Sequence, residues 1–210
     1  MDKLDLTRLY PDYFKAGTKP VLVQLGKAQY LSLTGKGDPS APDFAERVQA
    51  LYSVAYAIKF NSKQAGKDFA VPKLEGLWWF DETRFPDQTI STAPQNVPRS
   101  EWEYRVLIRM PDFVQEADLQ LAKHTVYNRK KLNLARDIEW FEMNEGLCVQ
   151  ILHVGPFSTE PASLTLMENL MEMEGLVRNG PHHEIYLSDF NKTDPDKLKT
   201  ILREPVRKKN

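Results

Sequence analysis

The chain of 210 residues contains a single cysteine, Cys148. No disulfide can form within it, so a reducing, cytoplasmic setting is the expectation. Cys148 sits in the apolar run 147–154 with no basic neighbour in sequence, which suits a buried structural thiol rather than a nucleophile. Long hydrophobic runs are missing too. None approaches the roughly 18 residues that a membrane span needs. The start, Met1-Asp2-Lys3-Leu4-Asp5, has no signal-peptide pattern. Charge of one sign is also absent, since 28 Lys and Arg face 29 Asp and Glu. That balance excludes a general attraction to nucleic acid or to an acidic bilayer. The short basic end, residues 203–209, reads as a solvated tail. There is no Gly-x-Ser-x-Gly elbow, P-loop or dinucleotide fingerprint. Histidine is scarce: His124 and His153 stand alone, and His182-His183-Glu184 would alternate between the two faces of a strand. No metal site and no cofactor are expected.

What is present is ordinary globular composition, 41% hydrophobic and 27% charged. Residues 21–25 and 30–34 read as a strand hairpin about a loop at 26–29. Phe44, Val48, Leu51, Ala55 and Ile58 form one helical stripe, with Gly66 beyond its end. A strand follows at 73–81. Residues 84–100, with Pro86, Pro94 and Pro98, form a loop long enough to have a functional role. Residues 101–110 alternate as a half-buried strand. Phe113, Ala117 and Leu121 begin a second helix. Residues 138–141 and 147–154 suggest a second hairpin around Asn144-Glu145-Gly146. Pro161 opens a third helix carrying Leu164, Met167, Leu170 and Met171. A strand at 182–189 and a short helix capped by Asp194 complete the order.

This order predicts an α+β fold: an antiparallel sheet with helices on one face and a ligand cleft on the other. A unit of strand, Gly/Pro break, amphipathic helix and acid-bearing strand occurs twice. The chain therefore reads as one domain, 1–210, made of two pseudo-symmetric halves at about 20–110 and about 111–206. The acids of the two units, Glu75 and Glu184, would face each other across the cleft.

Strand alternation sets Glu184 and Tyr186 on one face, and Glu75, Leu77 and Trp79 likewise. A carboxylate among aromatic rings costs free energy unless something uses it. The plain alternative for Glu184 is an ion pair, and for Glu75 the satisfying of buried polar groups. Trp78, Trp79, Trp102, Tyr104, Trp140, Phe157 and Tyr186 are candidate cleft walls. Of the adjacent pair, Trp79 shares the face of Glu75 and is assigned to the cleft, with Trp78 under the helices. Rings beside a carboxylate suit flat or cationic ligands. Glu184 could instead activate water, with Tyr186 or Tyr104 donating to a carbonyl oxygen as charge develops on it.

The segments 29–39 (QYLSLTGKGDP), 73–79 (KLEGLWW), 182–189 (HHEIYLSD) and 196–206 (DKLKTILREPV) resemble the GyrI-like small-molecule-binding proteins. The resemblance runs from about residue 4 to residue 206. It implies duplicated βαββ, SHS2-like units and kinship with BmrR-type effector-binding domains. There, a buried glutamate at the position of Glu184 meets cationic aromatic drugs. Some stand-alone members are similar to cyclopropanoid hydrolases, and others resemble gyrase-inhibitory proteins. No helix-turn-helix precedes the matching segments, which argues against a regulator in one polypeptide. Three readings follow. One is a binder of small hydrophobic or cationic aromatic molecules, with Glu75, Trp79, Trp102, Tyr104, Glu184 and Tyr186 as ligand contacts. A second is a hydrolase with Glu184 and Tyr186 catalytic. The third is an interaction module with a protein partner such as gyrase. None involves direct nucleic-acid or membrane binding.

Overall fold

The computed structural model describes residues 3–209. The helices are α1 (Leu6–Leu9), α2 (Pro11–Phe14), α3 (Pro42–Gln64), α4 (Ala93–Asn96), α5 (Glu116–Lys130) and α6 (Glu160–Met173). The strands are β1 (Val21–Lys36), β2 (Leu74–Trp79), β3 (Glu103–Arg109), β4 (Glu139–Val154), β5 (Leu176–Arg178), β6 (His182–Tyr186) and β7 (Lys199–Lys208). All strand pairs are antiparallel, in the order β4-β1-β3-β2-β6-β7-β5. A further β4–β7 pairing, from Cys148↔Pro205 to Val154↔Lys199, closes six strands into a barrel and leaves β5 on the edge of β7. The fold is α+β, and closure hides the strand edges that an open sheet would expose.

The two expected hairpins are single strands of 16 residues each. They pair with one another from Val21↔Gln150 to Ser32↔Glu139. Gly26 needs no left-handed backbone and stays extended, whereas Gly146 takes φ +69 within β4 opposite Leu25. A glycine permits that conformation without breaking the ladder. The continuous partner strand satisfies the backbone groups that a local turn would have paired.

The C-terminal segment differs more. Asp194 caps only a single 3₁₀ turn, Pro195–Lys197, and the chain then enters the ten-residue strand β7. The basic end is not a solvated tail, because Arg203 and Glu204 are fully buried. Arg203, Glu204 and Pro205 separate Ile201 and Leu202 from Val206, and Lys199, Arg207 and Lys208 flank them, so the strand shows no apolar pattern.

Alternation on each strand feeds separate cores. Tyr30, Leu77, Leu107, Cys148, Ile185 and Ile201 point into the barrel, together with Leu6, Tyr13 and Phe14 from α1 and α2. Burial pushes the Cys148 thiol up to about 12, as suits a structural residue. On the outside, Leu31, Val106, Ile108 and Trp78 pack against Leu51, Val54 and Ile58 of α3 and Leu119 of α5. Val149, Ile151 and Leu202 pack against Leu164 and Met167 of α6. Pro42 opens α3, and Gly66 at φ +79 lies just past its end. The long loop after β2 crosses to α6: Ile90 joins the core beneath that helix, and the backbone and hydroxyl of Ser91 donate to Glu168 at 3.0 and 2.6 Å. Among the described residues no helix is long and apolar enough to cross a membrane.

Candidate functional site

The pairing of β2 with β6 decides which residues meet. Gly76 lies opposite Glu184, Trp78 opposite His182, and Glu75 opposite Ile185. Residues directly opposite in an antiparallel pair share a face. Glu184 and Tyr186 therefore join Gly76 and Trp78 on the outer face, while Glu75, Leu77 and Trp79 turn inward with His183.

On the outer face, Trp78 Nε1 donates to Tyr186 Oη at 3.0 Å. Both side chains lie over Gly76. A Cβ there would stand 2.8 Å from Trp78 Nε1 and 2.9 Å from Tyr186 Oη, so only glycine leaves room. Phe44 stacks on Trp78 at 6.0 Å, and Tyr104 and Trp102 flank it at 5.3 and 6.5 Å. Phe157 and Phe190 meet Tyr186 edge-on at 6.1 and 5.9 Å. Phe44, Trp78, Tyr104 and Tyr186 are buried, and Phe157 at their edge is exposed.

Two acids adjoin the rings. Glu160, the first residue of α6, is buried, and its Oε1 has no hydrogen-bond partner. Burial and the Glu184 charge push Glu160 well above the usual carboxylate range. Burial also raises Glu184, partly offset by His182, Tyr186 and His183. His182 places Nε2 3.7 Å from Glu184 Oε1 and Nδ1 2.9 Å from Glu204 Oε2. Glu204 in turn accepts from Arg178 Nε at 2.6 Å. Burial, then Glu184, lifts the Tyr186 phenol well above its ordinary value, so it stays a neutral donor. Its oxygen accepts from Trp78, and its hydroxyl proton is directed at Glu184, so a ligand oxygen must compete with that carboxylate for it. Two carboxyls that disfavour simultaneous ionisation, beside a neutral phenol, can divide acid and base roles between them.

The inward face is wired differently. Glu75 Oε2 accepts from Tyr13 Oη and lies 3.0 Å from His183 Nε2. His183 Nδ1 is 2.8 Å from Glu145 Oε1, whose other oxygen accepts from Arg203 Nη1 at 3.1 Å. Arg203 also donates to Gln150 Oε1 and to the Tyr13 carbonyl. Burial alone would raise Glu145, but His183 and Arg203 hold it down to about 2. Burial would lower His183, but Glu145 and Glu75 bring it up to about 9. Trp79 donates Nε1 to Glu103 at 3.2 Å and lines a cavity of about 390 Å³ at the barrel end with Leu77, Arg105, Phe141 and Arg178.

The structure thus brings Glu184, Tyr186, Tyr104 and Trp102 together and sets Glu75 and Trp79 apart from them, on the other face of the sheet. Glu75 and Glu184 are not opposed across a cleft; Glu75 satisfies buried polar groups. Trp78 packs beneath α3 and belongs to the Glu184 surface. Sequence reasoning missed Glu160, His182 and Glu204. Glu160 carried a local signal as an acid in the first turn of a helix opened by Pro161, and His182 carried one by sharing the strand face of Glu184; Glu204 carried none. The His182-His183-Glu184 run is split between faces, and among the described residues no group of His, Cys, Asp or Glu could hold a metal ion.

The model of the GyrI-like small-molecule-binding domain family matches residues 18–207, and the chain belongs to that family. Two crystal structures from Listeria innocua, one of an uncharacterized conserved protein and one of a hydrolase, are each 36% identical to it. Each alignment covers 98% of this chain and all of the other, with TM-scores of 0.86 and 0.83. The C-terminal domain of EcmrR shares the fold at 11% identity, with a TM-score of 0.57 over 91% of this chain and 98% of that domain. No protein of curated function matches.

Proposed function

From membership of the GyrI-like small-molecule-binding family, we propose that this protein takes a flat, hydrophobic electrophile onto the Trp78–Tyr186 surface and hydrolyses it. The observation that carries this reading is the acid pair: Glu160 and Glu184 both sit above the usual carboxylate range, Glu160 the further. In this reading Glu160 serves as the acid and Glu184 as the carboxylate base. The full-length hydrolase relative supports the same reading.

The substrate class is a strained ring conjugated to a carbonyl. Glu184 takes a proton from water, and the water oxygen bonds to a ring carbon. The ring carbon–carbon bond breaks, and its electron pair moves onto the conjugated carbonyl, whose oxygen Tyr186 steadies by a hydrogen bond. Glu160 gives its proton to that product, and the pair re-exchanges one to reset. The net change is addition of one water. Such a ring is intrinsically reactive, so positioning and a modest base suffice.

A spirocyclopropyl cyclohexadienone tests this, since its water adduct is a hydroxyethyl phenol visible by mass spectrometry. Glu184→Gln should keep ligand quenching of tryptophan fluorescence and lower turnover on the order of 10²- to 10⁴-fold. Undiminished turnover in that variant removes the mechanism. A second reading, a binder of aromatic cations, is favoured by one feature: a carboxyl pair sharing a proton leaves a single buried negative charge beside stacked rings. It predicts quenching by aromatic cations with no product formed.

A further inference from the structure

Outside the reacting groups named so far, one side chain has a polar atom aimed at them and nothing else to do. Resting on the hydrolase reading, we propose that His182 is a positioning residue for Glu184, itself oriented by Glu204 and Arg178. Glu204 is fully buried and accepts from Arg178 Nε at 2.6 Å. A carboxylate pinned by a guanidinium only accepts, so His182 Nδ1, 2.9 Å from it, carries a proton. That fixes the ring and turns Nε2 toward Glu184 Oε1, 3.7 Å away. Nε2 is buried and has no hydrogen-bond partner.

Linking β6 to β7 would need only the Nδ1 bond. An orphaned ring nitrogen is costly, and it is explained if it serves the neighbouring acid. Through Nε2, His182 favours the ionised form of Glu184 and selects which oxygen faces the ligand. The other groups facing this pair are Glu160 from α6, Tyr186 on the same strand, Glu204 with Arg178 behind His182, and His183 across the sheet. Glu160 raises the proton affinity of the site, and His182 is the nearby cation that lowers it at Glu184.

The test uses His182→Asn, whose amide can still donate to Glu204 but which lacks Nε2. With the spirocyclopropyl cyclohexadienone as probe, kcat should fall on the order of 10- to 100-fold while KM stays within about twofold, less than loss of the base itself. The acid limb of the kcat–pH profile should move to higher pH, because Glu184 loses the cation that favours its charged form. Unchanged kcat and an unmoved limb overturn the proposal. An arm without turnover separates this from the hydrolase reading: nitrogen-15 NMR of the histidine rings in wild type and Glu184→Gln. A displaced titration midpoint for His182 supports the pairing even if the probe is never hydrolysed, and an identical midpoint overturns it even if the probe is.

Discussion

The two faces of β6 carry similar ingredients to opposite ends. Inside the barrel, Glu75 and Glu145 are matched by His183 and Arg203, and only Glu75 Oε1 lacks a partner. On the outer face, Arg178 balances Glu204, which leaves Glu160 and Glu184 with His182 alone. Glu160 Oε1 and His182 Nε2 have no partner there. One cluster is closed upon itself and holds strands together. The other keeps an unpartnered acceptor on Glu160 and an unpartnered ring nitrogen on His182 beside the aromatic rings. Neighbouring residues, His182 and His183, thus serve different ends because a strand turns them to opposite sides.

The largest test of this contrast falls on the closed cluster. Arg203→Met would strip donors from Glu145, Gln150 and the Tyr13 carbonyl in a dry interior. Breaking one partner out of a buried charged pair costs about 3–5 kcal/mol. Denaturant unfolding should show that loss. A cost below about 1 kcal/mol, the scale of exposed ion pairs, would mean that the inner cluster is no more structural than the outer one.

Next comes Gly76→Ala. The added methyl meets Trp78 Nε1 and Tyr186 Oη inside contact distance, so one ring must move. Overpacking of this kind costs about 1–3 kcal/mol. Because the displaced rings form the outer surface, ligand quenching of tryptophan fluorescence should weaken as well. If stability drops while quenching is untouched, the ligand does not sit where the rings do.

What could be foreseen from the residues follows the range of the interactions involved. Local periodicity is enough for α3 and α6, and for Glu184 sharing a face with Tyr186; for α5 it finds a helix but the wrong face, since Ala117 and Leu121 are exposed and Leu119, Ala122 and Val126 are buried. It also set Glu75, Leu77 and Trp79 together. It could not say which face of β2 meets Glu184, because that depends on pairing across more than a hundred residues. Local pattern alone therefore places Trp78 away from the acid and Trp79 toward it, the reverse of the pairing. Gly26 and Asn144-Glu145-Gly146 read as turns locally, yet a full-length partner strand overrode them. β7 is hidden because Arg203, Glu204 and Pro205 split its three aliphatic residues, and the burial of the two charges makes sense only once Glu145, Arg178 and His182 are beside them.

The smallest effect has the opposite sign. Glu160 binds its proton more tightly folded than unfolded, so above its ordinary value of 4.5 the native state holds a proton that the unfolded chain has released. Stability then falls as pH rises from there, until the native group also ionises. Glu160→Gln removes that penalty. The variant should be more stable than wild type at pH 7, with the difference shrinking toward pH 4.5. His183, ordinarily near 6.5 but brought up to about 9, contributes stability fully below 6.5 and loses it as pH climbs through 9, in both proteins alike. Glu145, held down to about 2, contributes above 4.5 and is lost only in strong acid. Thermal melts from pH 4.5 to 9 read the contribution of the Glu160–Glu184 pair as the difference between the two curves. A variant that is less stable at pH 7 would mean that the acid is paired after all. A variant that is more stable and no longer hydrolyses the probe would tie the native cost of Glu160 to turnover.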